Sequence, residues 1–235
     1  MNYKLYIVST PIGNFDDITL RALKILDEVD FIICEEFKQA RRLLSYHGIG
    51  KELVSLNEHN EEEYTSEVIE KILSGKSAAL ISDAGTPLFS DPGSILVKRA
   101  IEMNIQIIPI PGASSILSAL VGTGFDLNNF YYYGWLSPKK EIRRTQLQNL
   151  KTVNELLIIM ETPYRLQALL SDISKSFGKN QYIVVAFKLT QNEETYFRGT
   201  VNEVIVSTSK LKSKGEFVLL LDNRNKTSWK NRSRL

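Results

Sequence analysis

Three loops in the first half of the chain carry residue types suited to holding a small polar ligand: STPIGN at residues 9–14, SDAGTP at 82–87 and PIPGASS at 109–115. In the second loop Ala84 and Gly85 lack bulk, Pro87 fixes the turn, and Asp83 and Thr86 set polar groups beside exposed main chain. In the third, small residues run into a helix expected from near Ser114, whose free N–H groups suit a carboxylate. Either of these two loops alone is an ordinary tight turn between a strand and a helix. Their joint occurrence points to a small-molecule pocket.

Other chemistries fit poorly. The phosphate-cradling pattern GxxxxGK[ST] is absent, and the GxG at Gly122–Gly124 follows a helix, as a helix terminator does. His47 and His59, the only histidines, lie in different segments and lack the spacing to cysteine or carboxylate that zinc requires. No metal site is expected. With no GxSxG elbow, a Ser/His/Asp hydrolase would have to recruit one of those two histidines.

The elements that must position the loops are legible. Each loop follows a β-rich apolar run, respectively Tyr3–Val8, Ser77–Ile81 and Ile105–Ile110, so all three sit at strand carboxyl ends, where ligands bind in open α/β sheets. Helical patterns near Thr19–Val29, Lys38–Tyr46, Asn60–Leu73 and Pro92–Met103 alternate with these runs and with Phe31–Cys34, which implies a parallel sheet. Gly75 suits a C-cap, and Asp91 with Pro92 reads as an N-cap and first-turn pair. After PGASS the pattern loosens. Strands are read at Phe130–Tyr133, Leu156–Met160, Tyr182–Phe187, 194–198 and Glu216–Leu221, with a helix from Pro163 and another behind a Thr200/Glu203 capping box. Two α/β domains follow, a parallel sheet in 1–111 and a mixed sheet in 112–222, where strands 181–188 and 194–198 pair antiparallel.

Composition is that of an ordinary globular chain with ample residues for a core. A single Cys34 inside FIIC excludes an intramolecular disulfide and a cysteine-rich zinc site, so the cytoplasm is the expected compartment. No apolar stretch reaches the roughly 18–20 residues of a membrane span, and no signal peptide is read. The net charge of +2 hides an asymmetry: residues 223–235 hold five basic residues and no acid, which leaves −3 on the rest. Such a basic tail is read as solvated rather than as an RNA anchor.

The ordered segments LYIVSTPIGNFDDITLRAL (5–23), CEEFKQARRLL (34–44), LISDAGTPLFSDPG (80–93), PIPGASS (109–115), IIMETPYRL (158–166) and KGEFVLLL (214–221) resemble one family. It is the ribosomal RNA small-subunit cytidine 2′-O-methyltransferases, within the tetrapyrrole methylase superfamily. The likeness runs to about residue 221, and TPIGN…DIT with SDAGTP…DPG is its most specific part. It implies two α/β domains with S-adenosylmethionine in a cleft between them, a homodimer, and action on 16S rRNA in the small ribosomal subunit. It also implies cofactor contacts at Ile12, Asp83, Ala84, Gly85, Thr86, Phe89, Ser115, Ile116, Met160 and Ala186. A ribose hydroxyl is a poor nucleophile until its proton is drawn off, and a nearby base gains roughly 10²–10⁴-fold. Glu35, Glu36, Asp17 and Asp83 are the candidates for that base.

Departures fall on the acceptor side. The family's EDTR is Glu35–Lys38 here, its SPHR is Thr162–Arg165, and its RELTK is Phe187–Gln191. A short basic tail stands where many members carry a helical extension. Lys38, Lys139, Lys140, Arg143, Arg144 and Arg165 are the cations expected to meet RNA phosphates, with Tyr131–Tyr133 and Trp135 beside them. The rival readings are a tetrapyrrole or other small-molecule methyltransferase, and an RNA-binding homologue that has lost catalysis.

Overall fold

The computed structural model describes residues 3–89, 91–211 and 213–224. By its internal contacts the chain divides after Ser114 into two units.

The first unit is built on five strands, β1 (Lys4–Val8), β2 (Phe31–Cys34), β3 (Glu52–Ser55), β4 (Ala78–Ile81) and β5 (Gln106–Ile110). They lie in the order β3-β2-β4-β1-β5, every pair parallel. FIIC and AALI show no polar alternation because helices cover both faces, and all eight of these residues are buried. Leu5, Ile7, Phe31, Ile33 and Leu80 pack with α3 (Glu61–Leu73) and α4 (Ser94–Glu102). Val8, Ile32, Cys34, Ala79 and Ile81 pack with α1 (Leu20–Glu28) and α2 (Phe37–Tyr46) on the other side. Each large side chain buried in this way contributes roughly 1.5–3 kcal/mol. Thr19 caps α1 by accepting from the Ala22 N–H at 3.1 Å.

Two features of this unit differ from the sequence expectation. Strand β3 is short, half exposed and paired only with β2, so ELVS carries too little apolar signal to be read as a strand. Helix α4 starts at Ser94, not at Pro92, and its cap is Gly93 at φ +119. Asp91 is instead hydrogen-bonded to the Ser82 side chain, and the orphan N–H groups of α4 are satisfied from another helix, by Glu61.

The second unit has the expected mixed sheet. Its strands are β6 (Phe130–Trp135), β7 (Leu156–Glu161), β8 (Tyr182–Phe187), β9 (Thr195–Thr200) and β10 (Phe217–Asp222), in the order β6-β7-β10-β8-β9. Only β6 and β7 run parallel. Alternate residues Leu157, Ile159, Ile183, Val185, Leu219 and Leu221 form one core with α6 (Lys140–Leu150), α7 (Leu166–Phe177) and α8 (Val201–Thr208). The capping box at Thr200 and Glu203 forms as expected and starts α8. Helix α5 (Ser115–Val121) packs against β10.

Helix α6 was not legible because its inward positions are Arg143, Leu147 and Leu150, a stripe broken by a charge. The first cation of the basic tail is engaged too: Arg224 Nε lies 2.7 Å from Asp222 Oδ1, and its NH1 donates to the Asp126 carbonyl at 2.8 Å. Residues 225–235, the remainder of the tail, lie outside the described residues. No described helix is long and apolar enough to cross a membrane.

Candidate functional site

Strand order brings the three loops together. Because β1 lies between β4 and β5, the loops after these strands emerge side by side at the carboxyl edge of the sheet. Main-chain bonds join Thr10 and Gly85 in both directions, at 2.8 and 3.1 Å. Thr10 Oγ1 also donates to the Ser82 carbonyl at 2.9 Å, and Ser9 Oγ meets Thr86 Oγ1 at 3.1 Å. The Ser9 N–H donates to Ile110 O at 3.2 Å, while Thr86 Oγ1 donates to Ala113 O at 3.4 Å.

Two glycines make this approach possible. Gly85 sits at φ +91, and a Cβ there would lie 3.3 Å from Ile12 Cγ2. At Gly112 a Cβ would lie 2.9 Å from Ser9 Cβ, closer than real side chains come. Around this frame Asp83, Ala84 and Phe89 are exposed, while Gly85 is buried and Thr86 partly so. A frame of fixed main chain with one exposed carboxylate and one exposed aromatic ring suits a ligand carrying amino and hydroxyl donors plus an aromatic base. The residues present therefore fit a ligand of nucleoside type, the class to which the cofactor implied by the resemblance belongs.

Carboxylates gather beside the second loop. Asp83 Oδ1 accepts from the Glu36 N–H at 3.3 Å, which ties the start of α2 to SDAGTP. Burial holds the Glu35 carboxyl above the ordinary range, and the charges of Asp83, Asp91, Glu36 and Glu58 push it further the same way. Asp83 is also raised, by burial first and then by Glu36 and Asp91, against the lowering effect of its bond to the Glu36 N–H. Burial raises Asp91 as well, and it pushes the Cys34 thiol up to about 12, so that thiol stays protonated and inert. Asp17 stands apart, exposed in a 3₁₀ turn at Phe15–Asp17 and absent from the charges acting on Glu35. Among the described residues no group of three or more His, Cys, Asp or Glu side chains is arranged to hold a metal ion.

In the second unit, Met160 and Ala186 fall on one row across the sheet, joined through Val218, on the face opposite α6–α8. Met160 Sδ accepts from the Tyr132 hydroxyl at 3.3 Å. Ser115 and Ile116 form the first turn of α5, whose end is held by Tyr196 Oη donating to Ser118 O at 2.7 Å.

The cations expected to meet RNA divide into two groups. Lys38, Lys139 and Lys140 are exposed. Arg143 is not: it is buried, its Nε and NH2 grip Asp172 Oδ2 at 3.0 and 2.8 Å, and its NH1 donates to the carbonyls of Ser137 and Pro138. That corrects its assignment, since every donor group faces inward. Arg144 shares Asp172 at 3.3 Å while keeping part of its surface. Arg165 holds the buried Glu161 carboxylate at 2.6 Å. The charge-altered segment at Lys188 is also tied down: this lysine is buried at φ +50, with its Nζ on Glu193 and on Ser213.

Residues 4–205 match the family model described as Tetrapyrrole (Corrin/Porphyrin) Methylases. The chain is 39% identical over 218 residues to the ribosomal RNA small subunit methyltransferase I of Halalkalibacterium halodurans, covering 93% of this chain and 75% of the relative. Its counterpart of the same name in Pasteurella multocida is 40% identical over 224 residues, covering 94% and 80%. The chain belongs to the tetrapyrrole methylase family. Within it, both of these relatives, similar over most of the chain, are named as small-subunit methyltransferases. Two solved structures share the fold. A diphthine synthase superposes with a TM-score of 0.72 at 15% identity, covering 92% of this chain and 88% of its own. A cobalt precorrin-4 methyltransferase superposes with a TM-score of 0.67 at 18% identity, covering 93% and 94%.

One residue that supports the second loop's segment was missed in the sequence. Glu61 is 7% exposed, and its Oε1 accepts from the N–H groups of Gly93, Ile95 and Leu96 at 3.0, 2.7 and 3.4 Å. It thereby anchors the far end of the segment that begins with SDAGTP. A signal existed: Glu61 lies on the stripe Thr65, Val68, Ile69 and Ile72 that α3 buries, and an acid on an apolar stripe needs a partner.

Proposed function

We propose that this protein is an S-adenosylmethionine-dependent methyltransferase that 2′-O-methylates a cytidine ribose of 16S rRNA in the small ribosomal subunit. The observation that carries this reading is the stitched frame of three loops, in a chain about 39% identical to relatives named for small-subunit rRNA methylation. When bound, the donor supplies a methyl group on a sulfonium sulfur, an electrophile that needs no metal. The exposed Asp83 carboxylate accepts from its amino or hydroxyl groups, and main chain at Ala84–Thr86 fixes its position together with Ile12 and Phe89. The family resemblance adds Ser115, Ile116, Met160 and Ala186 as further proposed cofactor contacts.

Glu35 is the carboxylate proposed to take the proton of the ribose hydroxyl, with burial and then neighbouring acids holding its proton affinity above the ordinary carboxylate range. Glu36 fixes Asp83 through its main-chain N–H. Lys38, Lys139, Lys140 and Arg144 supply phosphate contacts, and the protein acts as a homodimer. Much of the rate comes from alignment of acceptor oxygen, methyl carbon and sulfur. The test uses radiolabelled S-adenosylmethionine and small subunits from a strain lacking the gene. Methyl transfer to a cytidine 2′-oxygen is expected. Donor binding with no transfer would replace this reading with a lapsed RNA-binding homologue, and transfer to a tetrapyrrole precursor alone would replace it with a small-molecule enzyme.

A further inference from the structure

Helix α2 presents a surface that the donor site does not use. The helix, FKQARRLLSY, contains no acid, and Lys38, Arg41 and Arg42 are exposed at i, i+3 and i+4 spacing, hence on one face. Among the described residues none of the three has a carboxylate within ion-pair distance. The guanidinium groups instead lie against aromatic rings: Arg41 is 5.6 Å from the Phe37 centroid and Arg42 is 5.5 Å from that of Phe15. Phe15 and Tyr46 meet edge to face at 5.3 Å, and the Tyr46 hydroxyl engages the nearby acid, Asp16, at 3.0 Å. Phe37 and Tyr46 are both exposed.

We infer that this face is a platform for a single-stranded segment of the substrate RNA, a proposal that rests on the rRNA reading above. Cations without partners neutralise phosphates, while exposed rings and guanidinium planes stack with bases. The platform also leads to the chemistry, since Glu36 at the head of α2 bonds Asp83. A strand laid along the helix is thereby delivered to the acidic edge of the donor loop.

The test measures binding of wild type and Arg41→Gln/Arg42→Gln protein to small subunits and to protein-free 16S rRNA across a salt series, with donor affinity and melting temperature alongside. Loss of two phosphate contacts weakens RNA binding about tenfold near 0.15 M salt and flattens the slope of log K against log salt by about 1.4. Donor affinity and melting stay at wild-type values. Arg41→Lys/Arg42→Lys keeps the slope, and Phe15→Leu loses roughly fivefold or more without changing it. Wild-type affinity and slope in the glutamine variant overturn the platform. A loss seen on subunits but not on naked rRNA also overturns it, in favour of a ribosomal protein. If wild type transfers no methyl group yet the glutamine variant binds rRNA more weakly, the catalytic reading fails and the platform stands.

Discussion

Substituting Gly112 by alanine is expected to pry two of the three loops apart. The new Cβ would stand 2.9 Å from Ser9 Cβ and 3.3 Å from Ser9 O, where ordinary contact begins near 3.4 Å. Both neighbours belong to the chain leaving β1, so relief requires that segment, or the one after β5, to retreat by about half an ångström or more. The retreat stretches the Ser9 N–H to Ile110 O bond of 3.2 Å and the Ser9 to Thr86 hydroxyl contact of 3.1 Å. Overpacking of this kind costs roughly 1–3 kcal/mol. Urea denaturation should register that loss, and calorimetry should show weaker S-adenosylmethionine binding. Gly75→Ala is the comparison, because a Cβ at that φ of +105 meets nothing within 4 Å and costs only local strain, about 1–2 kcal/mol. The decisive measurement is the double-mutant cycle with Ser9→Gly. Removing the opposing Cβ makes room, so the coupling should be favourable by roughly 1 kcal/mol or more. Full stability and donor affinity in Gly112→Ala, with no coupling to Ser9→Gly, would refute the close packing of the loops.

Glu61→Ala removes a carboxylate that accepts three N–H groups, so stability should fall by about 2–4 kcal/mol in urea titration, with donor affinity falling alongside. Arg143→Ala removes both donors to Asp172 Oδ2 and leaves the buried carboxylate with Arg144 alone, so a loss of roughly 1–3 kcal/mol is expected, whereas Lys139→Ala should leave stability nearly unchanged. The raised proton affinities of Glu35 and Asp83 fix the sign of a pH effect. The folded state holds these protons to higher pH than the unfolded chain, so their contribution to stability falls as pH rises from the ordinary carboxylate range through the folded values. With Glu35 as base, methyl transfer switches on over the same rise. Asp83→Asn removes one of the charges that raise Glu35 and should move the acid limb of the single-turnover rate, at saturating donor, to lower pH. An unmoved limb would exclude Glu35 as the base.

The fold was legible where local and tertiary demands agreed. Apolar runs such as FIIC and AALI must be buried on both faces whatever surrounds them, and Thr19 and Thr200 cap their helices through bonds to residues three positions on. The glycines of SDAGTP and PGASS likewise announced close approach, because a missing side chain is visible in the sequence. What approached them was not visible: Ser9 meets Gly112 and Thr10 meets Gly85 only because β1 lies between β4 and β5. Charges were read least well. A lysine or arginine is spelled alike whether it faces water or a carboxylate, and packing alone turned Arg143 onto Asp172 while leaving Arg41 and Arg42 outside with aromatic rings. The sequence by itself thus determined the parallel and mixed sheets, the capping box at Thr200 and the small-residue loops, all set by local patterning and burial. Only the tertiary structure decided which loops touch, which acid anchors α4 and which cations remain free, because those depend on neighbours distant in the chain.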